Sequence, residues 1–284
     1  MRFQFIHKHK QQFQVQAMCR QLNVSKQGYY EWRKRRPSRT KLRHEYLQEQ
    51  IRRIYDEHKG RYGSPRIAQQ LYDEGIETSK RVVALLMREA GLCAKGFQRR
   101  TASYGKGKSI EEAIKENLLK RQFDQDQVDA IWVTDITYIP CSDGRLYLCT
   151  YIDLTTRIPR CFDLSSSMKK EIVLRPIERY TEKLPDVIHS DRGSQYRSHR
   201  FRELLEEKHV LHSMSEPATP VDNAVVESFF KSIKRELVYP NRHKTKSEMK
   251  VLIQDYLLDY YPNRRIHTKF MMTPGKYEDQ LAGI

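Results

Sequence analysis

Ten consecutive residues, AIWVTDITYI (130–139), place β-branched and aromatic side chains at odd and even positions alike. Because neighbouring residues of a strand point to opposite faces, this run predicts a central strand that is covered on both sides. Asp135 lies in its middle, where a buried carboxylate costs several kcal/mol unless another group pairs with it. The position of Asp135 therefore needs an explanation.

The residues after this strand alternate between strand and helix patterns and predict an α/β domain. Asp143-Gly144 is a hairpin signal between the first two strands. Further strands are predicted at 145–154, 159–165, 186–190 and 211–214, with helices at 168–183, at 198–209 and after Asp222 or Asn223.

Two more carboxylates each admit two interpretations. Asp191 comes after the strand in VIHSDRGSQY (187–196), where an Asp commonly caps a turn, but it could also supply a fixed negative charge at the strand end. Glu227 lies on a predicted helix with Lys231 four residues later. Taken alone, this pair is best interpreted as a surface ion pair worth less than about 1 kcal/mol.

The three carboxylates together favour a metal site. Asp135, Asp191 and Glu227 are hard oxygen ligands, the type that suits Mg²⁺ or Mn²⁺. Two such ions, about 3.5–4 Å apart, can activate the attacking oxygen and stabilise the leaving oxygen in phosphoryl transfer. Such a metal would also neutralise an acidic cluster that otherwise repels a polyanion.

The front of the chain is strongly basic and predicts binding to nucleic acid. Residues 1–125 hold 28 Lys and Arg against 13 Asp and Glu, whereas residues 126–284 hold 24 against 23. Two stretches, 15–36 and 61–92, have the pattern of a helix-turn-helix, capped by Ser25 and Ser79.

The second helix of each unit would face DNA, beginning at Lys26 in the first unit and at Lys80 and Arg81 in the second. We expect its apolar stripe in the second unit to consist of Val82, Leu85 and Leu86, extended by Ala90. The alternative for each unit is a helical hairpin that only packs against a neighbour.

Two classes of protein are disfavoured. The five cysteines include no C-x-x-C pair, which argues against a disulfide framework or a zinc knuckle. The sequence contains no apolar run near 18 residues and no signal-peptide pattern, so we expect a soluble cytoplasmic protein without a membrane partner.

Three motifs resemble those of the integrase-like transposases of bacterial insertion sequences, which are related to retroviral integrases. They are WVTDITYI around Asp135, HSDRGSQY around Asp191 and DNAVVESFFKSIKRE around Glu227, with intervals of 55 and 35 residues between the acids. The second interval matches the D-x35-E spacing of the family. The helix-turn-helix stretches also resemble those that precede this core in the family.

The resemblance implies an α/β RNase H-like catalytic core preceded by all-α helix-turn-helix modules. Its sheet would have five strands, the first three antiparallel, with helices on both sides. Asp135, Asp191 and Glu227 would bind two ions, Mg²⁺ or Mn²⁺. Water would nick the element's end, and the freed 3′-hydroxyl would attack a second phosphodiester.

The same resemblance assigns supporting roles to other residues. Lys231, Lys234 and Arg235 would hold terminal DNA, and His189 and Asn223 would help to orient the acids. The expected partners are the terminal repeats, target DNA, a second copy of the chain or more on DNA, and the product of an upstream reading frame, either fused or regulatory. We expect the protein at the bacterial nucleoid.

The predicted regions are an N-terminal helix-turn-helix region at 1–50, a second helix-turn-helix domain at 51–97, a basic linker at 98–125, the catalytic core at 126–245 and a helical tail at 246–284. The tail departs at Pro262 from the family's Y-N-x-x-R-x-H pattern, and at Phe270 and Met271 from the L-G that comes after that pattern. Two other functions stay open: a DNA-binding regulator with an idle core, and a structure-specific nuclease of the same fold.

Overall fold

The computed structural model describes residues 1–95, 127–214 and 224–283. The predicted linker at 98–125 and Asn223 lie outside the described residues. The chain divides into two compact units, Met1–Arg52 and Arg53–Ile284. The residues predicted as second helix-turn-helix domain, catalytic core and tail fall together in the second unit.

The first unit is built from short helices around a small apolar core. It contains α1 (Arg2–His9), α2 (Val15–Gln21), α3 (Lys26–Lys34) and the first part of α4 (Arg39–Glu57). Ser25 caps α3, because its hydroxyl accepts a hydrogen bond from the Gly28 N–H at 2.9 Å. The predicted helix, turn and capped helix are therefore confirmed here.

The second unit begins with a helical pair, α5 (Ser64–Asp73) and α6 (Lys80–Glu89). Gly75 comes after α5 with a φ of +79°, a backbone conformation that glycine adopts without strain. The Ser79 hydroxyl caps α6 as predicted, accepting from the Val82 N–H at 3.3 Å.

The predicted apolar stripe of α6 was right at Leu86 and wrong at Leu85. The helix buries Val83, Leu86 and Met87, whereas Leu85 is 43% exposed. The sequence VVALLM is apolar throughout, with Ala as its smallest residue, so two overlapping stripes with helical spacing compete. Only packing against α5 selects between them.

A five-stranded mixed sheet forms the centre of the second unit. Its strands are β1 (Ile131–Cys141), β2 (Gly144–Asp153), β3 (Pro159–Ser165), β4 (Val187–Ser190) and β5 (Leu211–Met214). Their order is β3-β2-β1-β4-β5; the first three are antiparallel, and β1, β4 and β5 are parallel to one another. This is the predicted RNase H-like arrangement.

Helices cover both faces of the sheet. On one side, α7 (Glu171–Arg179) and α8 (His199–Glu207) pack on a cluster that includes Trp132. On the other side, α9 (Ala224–Ile233) and α10 (Lys246–Asp255) pack on a cluster that includes Val133. The prediction of a strand covered on both sides is thus confirmed by two adjacent residues of β1.

The chain after α9 continues as irregular helix. A π-helical segment (Lys234–Val238) and a 3₁₀ turn (Tyr239–Asn241) precede α10, a second π-helical segment (Tyr256–Arg264) comes after it, and α11 (Pro274–Ala282) ends the described chain. Of the departing tail residues, Pro262 is buried in the second π-helical segment and Phe270 stacks on Tyr277 with ring centroids 3.9 Å apart.

The tail binds the helical pair through hydrogen bonds. The Tyr62 hydroxyl donates to the Arg264 carbonyl and accepts from the Ile266 N–H, both at 2.8 Å. Arg66 Nε donates to the Ile266 carbonyl at 2.9 Å. None of the helices in the described parts of the chain has the length and apolar composition that crossing a membrane requires.

Candidate active site

Two of the predicted acids lie at corresponding positions of neighbouring parallel strands. Thr134 of β1 is paired with Ser190, the last residue of β4. Asp135 is the next residue of β1, Asp191 comes directly after the end of β4, and adjacent strands lie about 4.8 Å apart. The register of β1 with β4 therefore brings these two carboxyl groups to the same place on the sheet.

Asp135 has a strongly perturbed acidity. Burial raises the pKa of its carboxyl from an ordinary 3.8 to about 7, and the negative charges of Asp191 and Glu227 add to this. The Ile136 N–H, which donates to Asp135 Oδ1 at 2.7 Å, and the Lys234 ammonium act in the opposite direction. Asp191 and Glu227 are thus close enough to Asp135 to influence its carboxyl.

Asp191 combines both interpretations of its position. Its Oδ1 accepts a hydrogen bond from the Gly193 N–H at 2.9 Å, so the residue does cap the turn after β4. A Cβ at position 193 would lie 2.9 Å from the same oxygen, which explains the glycine. The turn therefore fixes Asp191 beside Asp135 without using a second side chain.

Glu227 lies on α9 and forms the ion pair that the sequence suggests. Lys231 Nζ is 3.4 Å from Glu227 Oε2, with side-chain exposures of 68% and 44% respectively. An exposed pair of this type contributes at most about 1 kcal/mol, so it is easily exchanged for another partner. The Glu227 charge raises the pKa of Asp135, so this end of α9 lies near the carboxyl on β1.

The other basic residues of α9 and its extension face different surroundings. Lys234 is partly buried, with its Nζ 4.6 Å from the centre of the Tyr138 ring on β1. Burial lowers the pKa of Lys234, and the Asp135 carboxylate raises it. Arg235 is exposed on the side of the helix that faces α5.

His189, which was expected to help orient the acids, lies on β4 two residues before Asp191. His189 of β4 is buried, and its Nδ1 is 3.0 Å from the Ser213 hydroxyl of β5. Ser190 is 2.9 Å from His212 Nε2 and donates to the Asp191 carbonyl at 2.9 Å. These contacts join β4 to β5 next to Asp191.

The donor set fits a hard divalent cation in its chemistry. Within residues 1–95, 127–214 and 224–283, no group of three or more His, Cys, Asp or Glu side chains is arranged to hold a metal ion. However, Asp135, Asp191 and Glu227 offer only oxygen, which Mg²⁺ and Mn²⁺ prefer. Burial is the main cause of the raised pKa of Asp135, and a bound cation would offset both burial and the repulsion from Asp191 and Glu227.

The structure contains a buried ion pair between Glu236 and Arg265 that the sequence does not predict. Glu236 accepts hydrogen bonds from Arg265 Nε at 2.8 Å, from Arg265 Nη2 at 2.7 Å, and from the Tyr256 hydroxyl at 2.9 Å. Arg66 Nη1 donates to Glu236 from α5 at 3.2 Å. These contacts hold the extension of α9 against both the tail and the helical pair; the conspicuous Arg265 of the tail motif was the one available signal.

The predicted DNA-contacting residues of the helical units are exposed at helix starts. Lys26 is the first residue of α3, and Lys80 and Arg81 are the first two of α6. Their side chains are accessible to a large polyanion. Contact with DNA stays a prediction for all three.

Comparison with known families finds three matches along the chain. Residues 125–220 and 227–281 each match a family described as Integrase core domain. Residues 41–101 match a family described as HTH-like domain. The sheet with its acids and the α5–α6 pair thus each fall within a known family.

Solved structures of low similarity include retroviral integrase cores. The HTLV-2 integrase catalytic core domain in complex with magnesium is 14% identical, with a TM-score of 0.40 over 52% of this chain and 95% of that one. The catalytic core domain of BIV integrase is 18% identical, with a TM-score of 0.41 over 55% and 98%.

Curated relatives cover almost the whole chain. The transposase for insertion sequence element IS904 of Lactococcus lactis is 36% identical over 239 residues, which are 82% of this chain and 93% of the relative. Transposase InsF for insertion sequence IS3A of Escherichia coli is 30% identical over 288 residues, 99% of each chain. The chain therefore belongs to the transposases of bacterial insertion sequences, with an HTH-like domain and an integrase core domain.

Proposed function

We propose that this chain cleaves the ends of an insertion sequence and joins them to target DNA by metal-dependent phosphoryl transfer. The observation that carries the proposal is the convergence of Asp135, Asp191 and Glu227, whose charges help to raise the pKa of the buried Asp135 to about 7. A carboxyl whose pKa is raised by burial and by neighbouring charges is typical of a functional site. In a DNA-binding chain, the three acids would bind cations that also bind the phosphate oxygens of DNA.

Two divalent cations, Mg²⁺ or Mn²⁺, are the proposed cofactor, held by the oxygens of Asp135, Asp191 and Glu227. When bound, such ions activate the attacking oxygen and stabilise the leaving oxygen of a phosphodiester. In the first step, water attacks at the element's end and the departing oxygen becomes a free 3′-hydroxyl. In the second step, that hydroxyl attacks a phosphodiester of the target DNA and displaces the 3′ oxygen of the target strand.

The side chains have definite tasks in this scheme. Asp135 has to release its proton to become a ligand, and the nearby Lys234 ammonium favours the ionised form. The turn bond from Gly193 holds Asp191 in place. Glu227 would hold a cation in place of Lys231, and the exposed pair would oppose this exchange by at most about 1 kcal/mol.

The proposed partners derive from the reaction. Terminal repeats would bind through the helical units, including Lys26, Lys80 and Arg81, while Lys231, Lys234 and Arg235 would hold the DNA end near the acids. Two ends have to be held together, so we propose a homodimer or larger assembly on DNA. The product of an upstream reading frame is proposed as a fused or regulatory partner, at the nucleoid in the bacterial cytoplasm.

Strand transfer on a labelled duplex with the terminal repeat tests the proposal. We expect joined product with Mg²⁺, none with EDTA, and none with Glu227→Gln in either condition. The control is Glu206→Gln, the same change at an exposed position of α8, which should join like the parent chain. Binding without product would instead indicate a regulator with an idle core, and cleavage without joining would indicate a nuclease.

A further inference from the structure

A cavity of about 370 Å³ lies between the helical pair, α5 and α6, and the helix that carries Glu227, α9, which we call the catalytic helix. One wall comes from the segments flanking α5 and α6, the other from α9 and its extension, and Arg265 contributes from the tail. Its cationic lining residues are Arg61, Arg66, Lys95, Lys231, Arg235 and Arg265. Glu236 is the one acid among the described lining residues, so the cavity is strongly positive.

Part of this positive charge has no acidic partner among the residues that the structure describes. Glu236 is bound to Arg66 and Arg265. Among the described residues, no carboxylate lies within ion-pair distance of Arg61, Lys95 or Arg235. A cavity with this charge attracts an anion, because cations that lie close together repel one another until a negative group joins them.

Arg61 is the cation that the surrounding side chains hold in place. The Arg61 guanidinium lies 4.1 Å from the centre of the Tyr260 ring, and only 7% of the residue is exposed. The Lys95 N–H donates to the Gly60 carbonyl at 2.8 Å, which fixes the backbone at that edge. A side chain held as Arg61 is held loses little entropy when an anion binds.

The opposite wall is a polar face of α9. Ser228, Lys231, Ser232 and Arg235 recur at intervals of three, one and three residues along the helix, so they lie on one side of it. Ser228 is the residue after Glu227, and Lys231 is paired with Glu227. Hydroxyl and basic side chains together are the usual contacts of a DNA phosphate.

We propose that this cavity binds a backbone phosphodiester of DNA, so that the helical pair and the catalytic helix grip the same strand. The proposal rests on the proposed function and adds Arg61, Lys95, Ser228 and Ser232 to the DNA-binding residues. The strand held there would continue past Ser228 towards Glu227. The phosphodiester could belong to the element's end or to target DNA, and a comparison of specific with scrambled DNA distinguishes the two sources.

Binding in EDTA measures the site without catalysis. The variants are Lys95→Gln and Arg235→Gln, both exposed, so neither should change thermal unfolding. Fluorescence anisotropy over a salt series is recorded with a terminal-repeat duplex and with a scrambled duplex of the same length. Each variant should weaken binding and lower the slope of log K against log salt by about 1, the effect of one lost phosphate contact.

The control is Lys208→Gln, which removes the same charge at an exposed position after α8 and should leave the slope unchanged. A loss confined to the terminal repeat assigns the site to the element's end, and an equal loss on both duplexes assigns it to any DNA backbone. Slopes equal to that of the parent chain on both duplexes overturn the proposal.

Failure of this inference is distinguishable from failure of the proposed function. A chain that joins ends while both variants bind like the parent retains the function and loses the cavity. If the parent chain makes no joined product and both variants still show the reduced slopes, the proposed DNA site is supported and the proposed function is contradicted.

Discussion

Replacing Glu236 by Gln should destabilise the protein far more than a typical carboxylate change. Glu236 is 7% exposed and meets Arg265, itself 3% exposed, through two hydrogen bonds. Gln has nearly the same shape but no charge, so Arg265 would be left buried without its counterion. Breaking one partner of a buried ion pair costs about 3–5 kcal/mol.

Thermal unfolding converts this cost into a measurable shift. In a unit of this size each kcal/mol moves Tm by about 2–4 °C, so we expect a decrease on the order of 6–20 °C at pH 7. The matched control, Glu206→Gln, should move Tm by about 2 °C at most, because exposed substitutions stay within about 0.5 kcal/mol. A double variant, Glu236→Leu with Arg265→Met, should recover much of the loss, since it removes both buried charges.

The pH dependence provides a second check on the same reasoning. The charges of Arg265 and Arg66 and the Tyr256 hydrogen bond hold the pKa of Glu236 at about 2, below its ordinary 4.5, despite burial. The stabilisation is therefore complete above pH 4.5 and is lost as pH falls towards 2. The parent chain and Glu236→Gln should converge in that range. A Gln variant as stable as the parent at pH 7 would refute the reasoning.

Three further predictions concern the acids and the lysine beside them. Asp135→Asn should abolish strand transfer yet stabilise the protein in EDTA at pH 8, because a carboxyl pKa raised from 3.8 to about 7 corresponds to up to about 4 kcal/mol. A raised carboxyl pKa weakens the folded state as pH rises, so this gain should shrink below pH 7; an unchanged Tm at pH 8 would contradict it. Asp191→Asn should bind terminal-repeat DNA like the parent but form no joined product, and a variant that joins would remove Asp191 from the site. Lys234→Gln should move the pH profile of joining to higher pH, because Asp135 loses the ammonium that favours its ionised form; it should also flatten the salt dependence of end binding.

Each of these variants has a control of matched chemistry. Asp255 is exposed on α10, so Asp255→Asn should change neither Tm nor joining. Lys208→Gln should leave the pH profile of joining where the parent has it. An identical shift in a control and its test variant would assign the effect to net charge alone.

The sheet could be predicted from the sequence because its signals are local. Asp143-Gly144 marks the hairpin, the apolar run around Asp135 marks the central strand, and both need only a few neighbouring residues. The face that α6 buries could not be chosen, because a nearly continuous apolar run has more than one stripe of helical spacing. Only its contact with α5 decides that Val83 is buried and Leu85 is exposed.

The sequence predicts the candidate site as a set of residues, and it does not predict the environment of those residues. Sequence spacing relates Asp191 to Glu227, yet the raised pKa of Asp135 depends on burial that only the packed sheet creates. Glu236 and Arg265 are 29 positions apart, and no local pattern predicts that they meet. Long-range polar contacts of this type require the tertiary structure.

The hydrogen bonds between the helical pair and the tail limit how this protein can be engineered. A chimera that takes residues 53–95 from a relative would replace Tyr62 and Arg66 while keeping their partners at 264–266. The transplanted pair would then face carbonyl and N–H groups selected for another surface. Such an exchange should therefore succeed when residues 256–267 are taken from the same relative as the helical pair. Two segments that are distant in the sequence then have to be exchanged together.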